Sequence, residues 1–145
     1  MAMVFPDLEP WIARLKAECQ VFLGSNVFGA VEYAAARAKG AKMTRAYVMP
    51  MRSASEPLVL LGGAIQQEAT DMVEVLMAVR NDADIAGGEA AADVMVTRNQ
   101  VLDALNGWQP INGGIVLYRS GQRIGFDDFT VWWSDVYSYD YRLTR

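Results

Sequence analysis

The stretch from Ile65 to Arg80 reads as one strand, and it does so for sixteen residues. Val73, Val75, Met77 and Val79 fall on one face. Met72, Glu74, Leu76, Ala78 and Arg80 fall on the other. This is the pattern of a strand in a sheet covered on at least one side. An ordinary strand has about 5–6 residues, and sixteen in extended form span on the order of 50 Å. Few folds hold so long a strand. The expectation is that part of it leaves the sheet or pairs outside the subunit.

The rest of the chain arranges itself around this strand. Thr44 to Arg52 alternates and reads as a strand running through Pro50. Residues 53–63 read as a long loop or loose hairpin, with Leu58, Val59, Leu60 and Leu61 as an apolar tip between Pro57 and Gly62. Ile115–Arg119 and Phe129–Leu143 read as strands, joined through Ser120–Gly121 and a turn at Asp127–Asp128. The last strand places Trp133, Tyr137, Tyr139 and Tyr141 on one face, with Asp135 as the polar exception, and Trp132 on the other. Such an aromatic ladder serves cross-strand packing or an interface.

Leu8, Ile12, Leu15, Cys19 and Phe22 recur at helical spacing, which predicts a helix over 8–23 with Asp7 as N-cap, Pro10 in the first turn and Gly24 as its stop. Glu32–Ala38 predicts a brief helix ended by Gly40. A second long helix is expected over 89–106, with Ala91, Val94, Met95, Arg98, Val101, Leu102 and Leu105 along one side. Asn106–Gly107 caps it and Pro110 blocks its continuation. The order of elements predicts one α+β domain over residues 1–145: an antiparallel or mixed β-sheet with two main helices packed on one face.

Composition narrows the function. Histidine is absent and there is one cysteine, Cys19. The commonest general base, the commonest metal ligand and the Ser–His and Cys–His nucleophile pairs are thereby excluded. No internal disulfide is possible. The three Gly-Gly pairs lack the spacing of a phosphate-binding loop. Asp127 and Asp128 could bind a cation, but adjacent acids between two strands are usually a turn. Cys19 lies on an apolar stripe, and Arg98 interrupts one, which asks for a buried acid or a snorkelling side chain. No catalytic residue, cofactor or metal is expected. Neither a leader peptide nor a membrane span is expected either.

With 52% hydrophobic residues, the chain has more apolar surface than one small core hides, which leans towards an assembly. The net charge of −4 argues against a general nucleic-acid binder. Between Arg37 and Arg52 stand five basic residues (Arg37, Lys39, Lys42, Arg45, Arg52) and no acid. Between Glu68 and Asp93 stand seven acids and one base. These are either two solvated faces or the two halves of a head-to-tail contact between copies. Asp82 and Asp84 are the favoured acids of that contact.

The order Val73–Asn81, a glycine-containing loop, then Val101-Leu102-Asp103-Ala104-Leu105-Asn106-Gly107-Trp108-Gln109-Pro110 resembles bacteriophage tail terminator proteins. So does the closing run Trp133–Leu143. The likeness is fullest over 70–145. It implies a non-enzymatic subunit of a hexameric ring that caps the tail tube, stops its polymerisation and joins the tail to the head connector. It implies as partners further copies of the chain, the tail tube protein and the head–tail connector, with DNA passing through the lumen without specific binding. It also implies a place at the head-proximal end of the virion tail, after assembly in the host cytoplasm. Two other classes fit the residues: another head–tail connector ring, and a small metabolite-binding or enzymatic α+β domain. The latter needs a deep polar pocket holding Asp127, Asp128 or Asp135.

Overall fold

A computed structural model describes residues 3–39, 43–57, 59–80, 88–111, 113–127 and 129–144. Three helices and six strands follow in the order α1 (Glu9–Glu18), β1 (Val27–Phe28), α2 (Ala30–Lys39), β2 (Arg45–Ser55), β3 (Val59–Leu61), β4 (Ala64–Arg80), α3 (Gly88–Leu105), β5 (Leu117–Asp127) and β6 (Thr130–Thr144). The strands make one mixed sheet in the order β1-β2-β4-β6-β5, with β3 added to β4. Only β1 and β2 run parallel. The fold is α+β, as the order of elements predicts.

The long strand β4 stays inside the subunit along its whole length, contrary to the expectation that part of it pairs elsewhere. One edge pairs with β6 from Gln66–Thr144 to Arg80–Thr130. The other pairs with β2 from Ala69–Ser55 to Ala78–Arg45, and β3 takes over at Ala64–Gln66. The reason is that β6 is nearly as long as β4. Of the long loop or loose hairpin expected at 53–63, the structure has a hairpin. β2 runs on to Ser55, and Val59–Leu61 form a tight hairpin on β4 through Gly62 and Gly63, both at positive φ. Leu58 lies outside the described residues. The joint expected at Ser120–Gly121 is instead continuous strand, with register shifts around Arg119 and Ile124.

α1 and α3 cover one face of the sheet. Their main core joins Trp11, Leu15, Cys19 and Phe22 to Val73, Val75, Met77 and Val79 of β4 and to Tyr137, Tyr139 and Tyr141 of β6. The alternation of β4 is therefore read correctly from the sequence. α1 is shorter than expected. Leu8 holds the N-cap position, while Asp7 Oδ1 still accepts a hydrogen bond from the Glu9 N–H at 3.0 Å. After Cys19, which is extended, a single 3-10 turn over Gln20–Phe22 ends at Leu23 in the left-handed region. That break lets the chain reverse into β1.

α3 is turned from its expected face. Val94, Val101 and Leu105 are buried, but Thr97 and Ala104 are buried with them, and Met95 and Leu102 are exposed. The small Thr97 and Ala104 let the helix lie close to the sheet. The cap signature holds: Gly107 has φ +86°, and the Trp108 N–H returns to the Leu105 carbonyl at 3.0 Å. Arg14 of α1 adds a second cap. Its Nε donates to the Ala104 carbonyl at 2.8 Å, placing a cation at the negative end of α3.

α2 lies on the opposite face, beside β2. There Tyr33 packs on Tyr47 and Trp132, and Met49, Leu76 and Ala78 complete a smaller core. Gly29 donates its N–H to Glu32 Oε2 at 3.2 Å, one half of a capping box.

Candidate interaction surfaces

The most elaborate polar arrangement is built on Asp135, the acid that breaks the aromatic ladder of β6. Asp135 is 1% exposed. Arg98 of α3 reaches it with both ends of its fork, Nε to Oδ2 at 2.9 Å and Nη2 to Oδ1 at 3.0 Å. Trp133 Nε1 donates to Oδ1 at 2.9 Å, and Arg98 Nη2 also donates to the Tyr118 hydroxyl at 3.2 Å. The guanidinium lies 4.4 Å from the centre of the Trp133 ring. The Asp135 hydrogen bonds raise the pKa of Arg98 above its ordinary value. A Cβ at Gly121 would stand 2.2 Å from Asp135 Oδ1, so β5 can pass this pair only as glycine. Both carboxylate oxygens of Asp135 accept hydrogen bonds from within the chain. The arrangement pins α3 to β5 and β6.

The acids of β4 are also occupied. Asp71 Oδ1 accepts from Ser53 Oγ at 2.5 Å and from the Tyr141 hydroxyl at 2.8 Å. Glu74 accepts from Ser134 Oγ at 2.5 Å, and Glu68 from Arg142 Nε at 2.5 Å. Among the described residues, no group of three or more Cys, Asp or Glu is placed to hold a metal ion. A surface groove of 570 Å³ lies beside Gly113, Gly114 and Asp140, and Asp135 does not line it. Asp128 lies outside the described residues. Burial pushes the Cys19 thiol up to about 12, the mark of a core side chain rather than a nucleophile.

The interface residues singled out in the sequence are dispersed. Leu60, in the middle of β3 and paired with Ile65, is 69% exposed; Val59 and Leu61 flank it. Trp132 is 2% exposed and stacks at 6.4 Å on Tyr47, so its ring packs within the subunit. Arg45 is half-buried, with its guanidinium 5.5 Å from the Phe28 ring. Arg52 is exposed on β2. Lys39 ends α2; Lys42, Asp82 and Asp84 lie outside the described residues. Arg45 pairs with Ala78, so β2 starts at the end of the sheet where β4 finishes at Arg80. Sequence reasoning missed the edge of β5. There Leu117, Ile124, Phe126 and the adjoining Phe129 are exposed large apolar side chains, and bulges hide their alternation.

The model of the phage tail terminator protein family matches residues 1–145. The chain belongs to that family. Its fold also resembles a chain in a solved virion of a native gene transfer agent particle, with a TM-score of 0.50 and 14% identity, covering 91% of this chain and 90% of that one. No curated protein matches it. This tail terminator family member is thus a structural virion protein of the phage tail, and its surfaces are best read as contacts.

Proposed function

We propose that this chain acts as one non-enzymatic domain in a hexameric ring at the head-proximal end of a phage tail. The ring caps the tail tube, stops its polymerisation and joins it to the head connector, while DNA passes through the lumen without specific binding. Assembly takes place in the host cytoplasm. The observation that carries this reading is the family match over residues 1–145. The Arg98–Asp135 pair supports it, since the buried carboxylate of this cluster is bonded through both oxygens to side chains of its own subunit. A particle map with a six-fold ring of this chain between tube and connector is the expected result. A different stoichiometry at that position overturns the reading.

Two contacts belong to the same proposal. The run Leu58, Val59, Leu60 and Leu61 docks on the tail tube or a neighbouring copy, because the exposed Leu60 of β3 needs cover. Asp82 and Asp84 of one copy meet Lys39 and Lys42 of the next, with Arg45 and Arg52 extending the basic side. Glu68, Asp71 and Glu74 are already bonded within the subunit, which concentrates the acidic role on the segment after Arg80. Reversing both aspartates to lysine weakens ring formation, and reversing Lys39 and Lys42 to glutamate in the same protein restores part of it. Unchanged light scattering from the first double variant refutes this contact.

A further inference from the structure

A hollow of 310 Å³ opens between the start of α1 and β2. That is the lower end of the ~300–1,000 Å³ that ligand sites usually occupy. Ile12 of α1, Val48 of β2 and Val73 of β4 give it apolar walls, and Pro6 and Pro50 add their rings. Three carboxylates line it as well, Asp7, Glu9 and Asp71, and among the described lining residues there is no lysine or arginine.

These carboxylates are only partly used. Asp7 Oδ1 accepts from the Glu9 N–H at 3.0 Å, and Asp71 Oδ1 accepts from Ser53 Oγ and, at 2.8 Å, from the Tyr141 hydroxyl. The other oxygen of each, and the carboxylate of Glu9, take no bond among the described residues. An adjoining hollow of 160 Å³ shares Pro6 and Asp7 and is bordered by Trp11 and Tyr139. Tyr139 is 2% exposed, and its hydroxyl has no hydrogen-bond partner. Burial first, and then Asp71, Tyr141 and Asp7, raise its pKa, so two of the three acids act on this hydroxyl. A buried polar group left without a partner is rare and asks for one.

We propose that the hollow is a socket for an arginine side chain of a neighbouring tail protein, with the stem along Ile12, Val48 and Val73 and the guanidinium among Asp7, Glu9 and Asp71. This rests on the reading of the chain as a tail component and names one of its contacts. Arginine fits because its stem is apolar and its head carries five donors in a plane, which suits several acceptors converging on one point. A hydroxyl beside two carboxylates likewise wants a donor rather than another acceptor. Free arginine fits worse, since its own carboxylate would meet three others. The surroundings point to a protein partner. Val4 and Phe5, next to Pro6, are 76% and 69% exposed, and Ile111 beside the adjoining hollow is 81% exposed. An apolar rim about a charged anchor point is what a partner chain covers.

The test uses the isolated chain and N-acetylarginine amide, which has the side chain and no carboxylate. Nuclear magnetic resonance should show saturable shifts at Ile12, Val48 and Val73. The citrulline analogue, equal in shape and uncharged, should give none. Asp7→Asn with Asp71→Asn should weaken binding by about tenfold or more, because bonds to a charged acceptor become bonds to a neutral one. Asparagine keeps an acceptor at both places and caps a helix as aspartate does. Glu9→Gln, exposed on α1, repeats the test if the double variant loses the circular dichroism of the wild type. No saturable shift, or equal binding of the citrulline analogue, overturns the socket. Tighter binding of putrescine than of the arginine amide assigns the hollow to a small amine and overturns the docking. In particles, the double variant should leave tails short of this chain. A normal content of it there overturns the docking and leaves the ring reading intact, which the particle map alone decides.

Discussion

Replacing Arg98 by methionine keeps the length and apolar stem of the side chain and removes its fork. Asp135 then keeps Trp133 Nε1 as donor and loses both bonds from α3. The Asp135 side chain is 2% exposed and that of Arg98 20%, so water cannot readily replace the lost partner. Removing one member of a buried ion pair costs about 3–5 kcal/mol. The partial exposure of Arg98 and the surviving indole bond place this case near the lower end, about 3 kcal/mol. For a chain of this size each kcal/mol lowers the melting temperature by roughly 2–4 °C. A fall of about 6–12 °C is expected, along with a lower urea midpoint at unchanged m-value. Trp133 reports the site directly by fluorescence. The double variant Arg98→Met/Asp135→Leu should lose clearly less than the two single changes together, because no charge is left unpaired. A loss under about 1 kcal/mol from Arg98→Met, or strict additivity in the cycle, refutes the reading of this pair as a buried clamp.

Gly121→Ala should destabilise by about 1–3 kcal/mol through overpacking, and the cost should shrink in an Asp135→Ala background, as urea titration of the four proteins can check. Alkaline pH should unfold the chain. Burial raises Cys19 from 9.0 and Tyr141 from 10.0 to about 12, and raises Tyr137 and Tyr139 further. The unfolded chain therefore releases protons from about pH 9–10 while the folded one keeps them, so stability present below that range falls as pH rises, by up to about 1.4 kcal/mol per unit for each group. Stability that stays flat from pH 8 to 11 in denaturant titrations contradicts this. Leu60→Asp should leave the melting temperature within about 0.5 kcal/mol equivalent of wild type and block completion of tails. Normal tails under the microscope remove the docking role of the hairpin.

Much of the fold can be read from side-chain period alone. The faces of β4 follow directly from its alternation, and Gly107 announces the end of α3 because only a left-handed residue closes that helix without strain. Arg98 and Asp135 each stand out as a charge on an apolar stripe, and the structure joins them. What period cannot show is which strand lies beside which. The partner of the hairpin strand Val59–Leu61 is set by main-chain bonds to β4 that leave no mark in the side-chain pattern, and the bulges of β5 shift its alternation out of phase. α3 misleads because Thr97 and Ala104 are buried for being small, while the larger Met95 and Leu102 are left outside. The interface residues are harder still, since a surface meant for a second molecule has no complement within the chain.

β4 and β6 lie side by side through fifteen paired residues, from Gln66–Thr144 to Arg80–Thr130. At about 3.4 Å per residue, this double beam is on the order of 50 Å long. A pull along the beam loads all its cross-links at once in shear. A pull across it opens them one at a time from an end, as a zip does. The same subunit is therefore stiff in one direction and compliant in the perpendicular one. Its resistance to a strained tail depends on how the beam is aimed relative to the load, and the hairpin at Leu60 hangs from the β4 end of that beam.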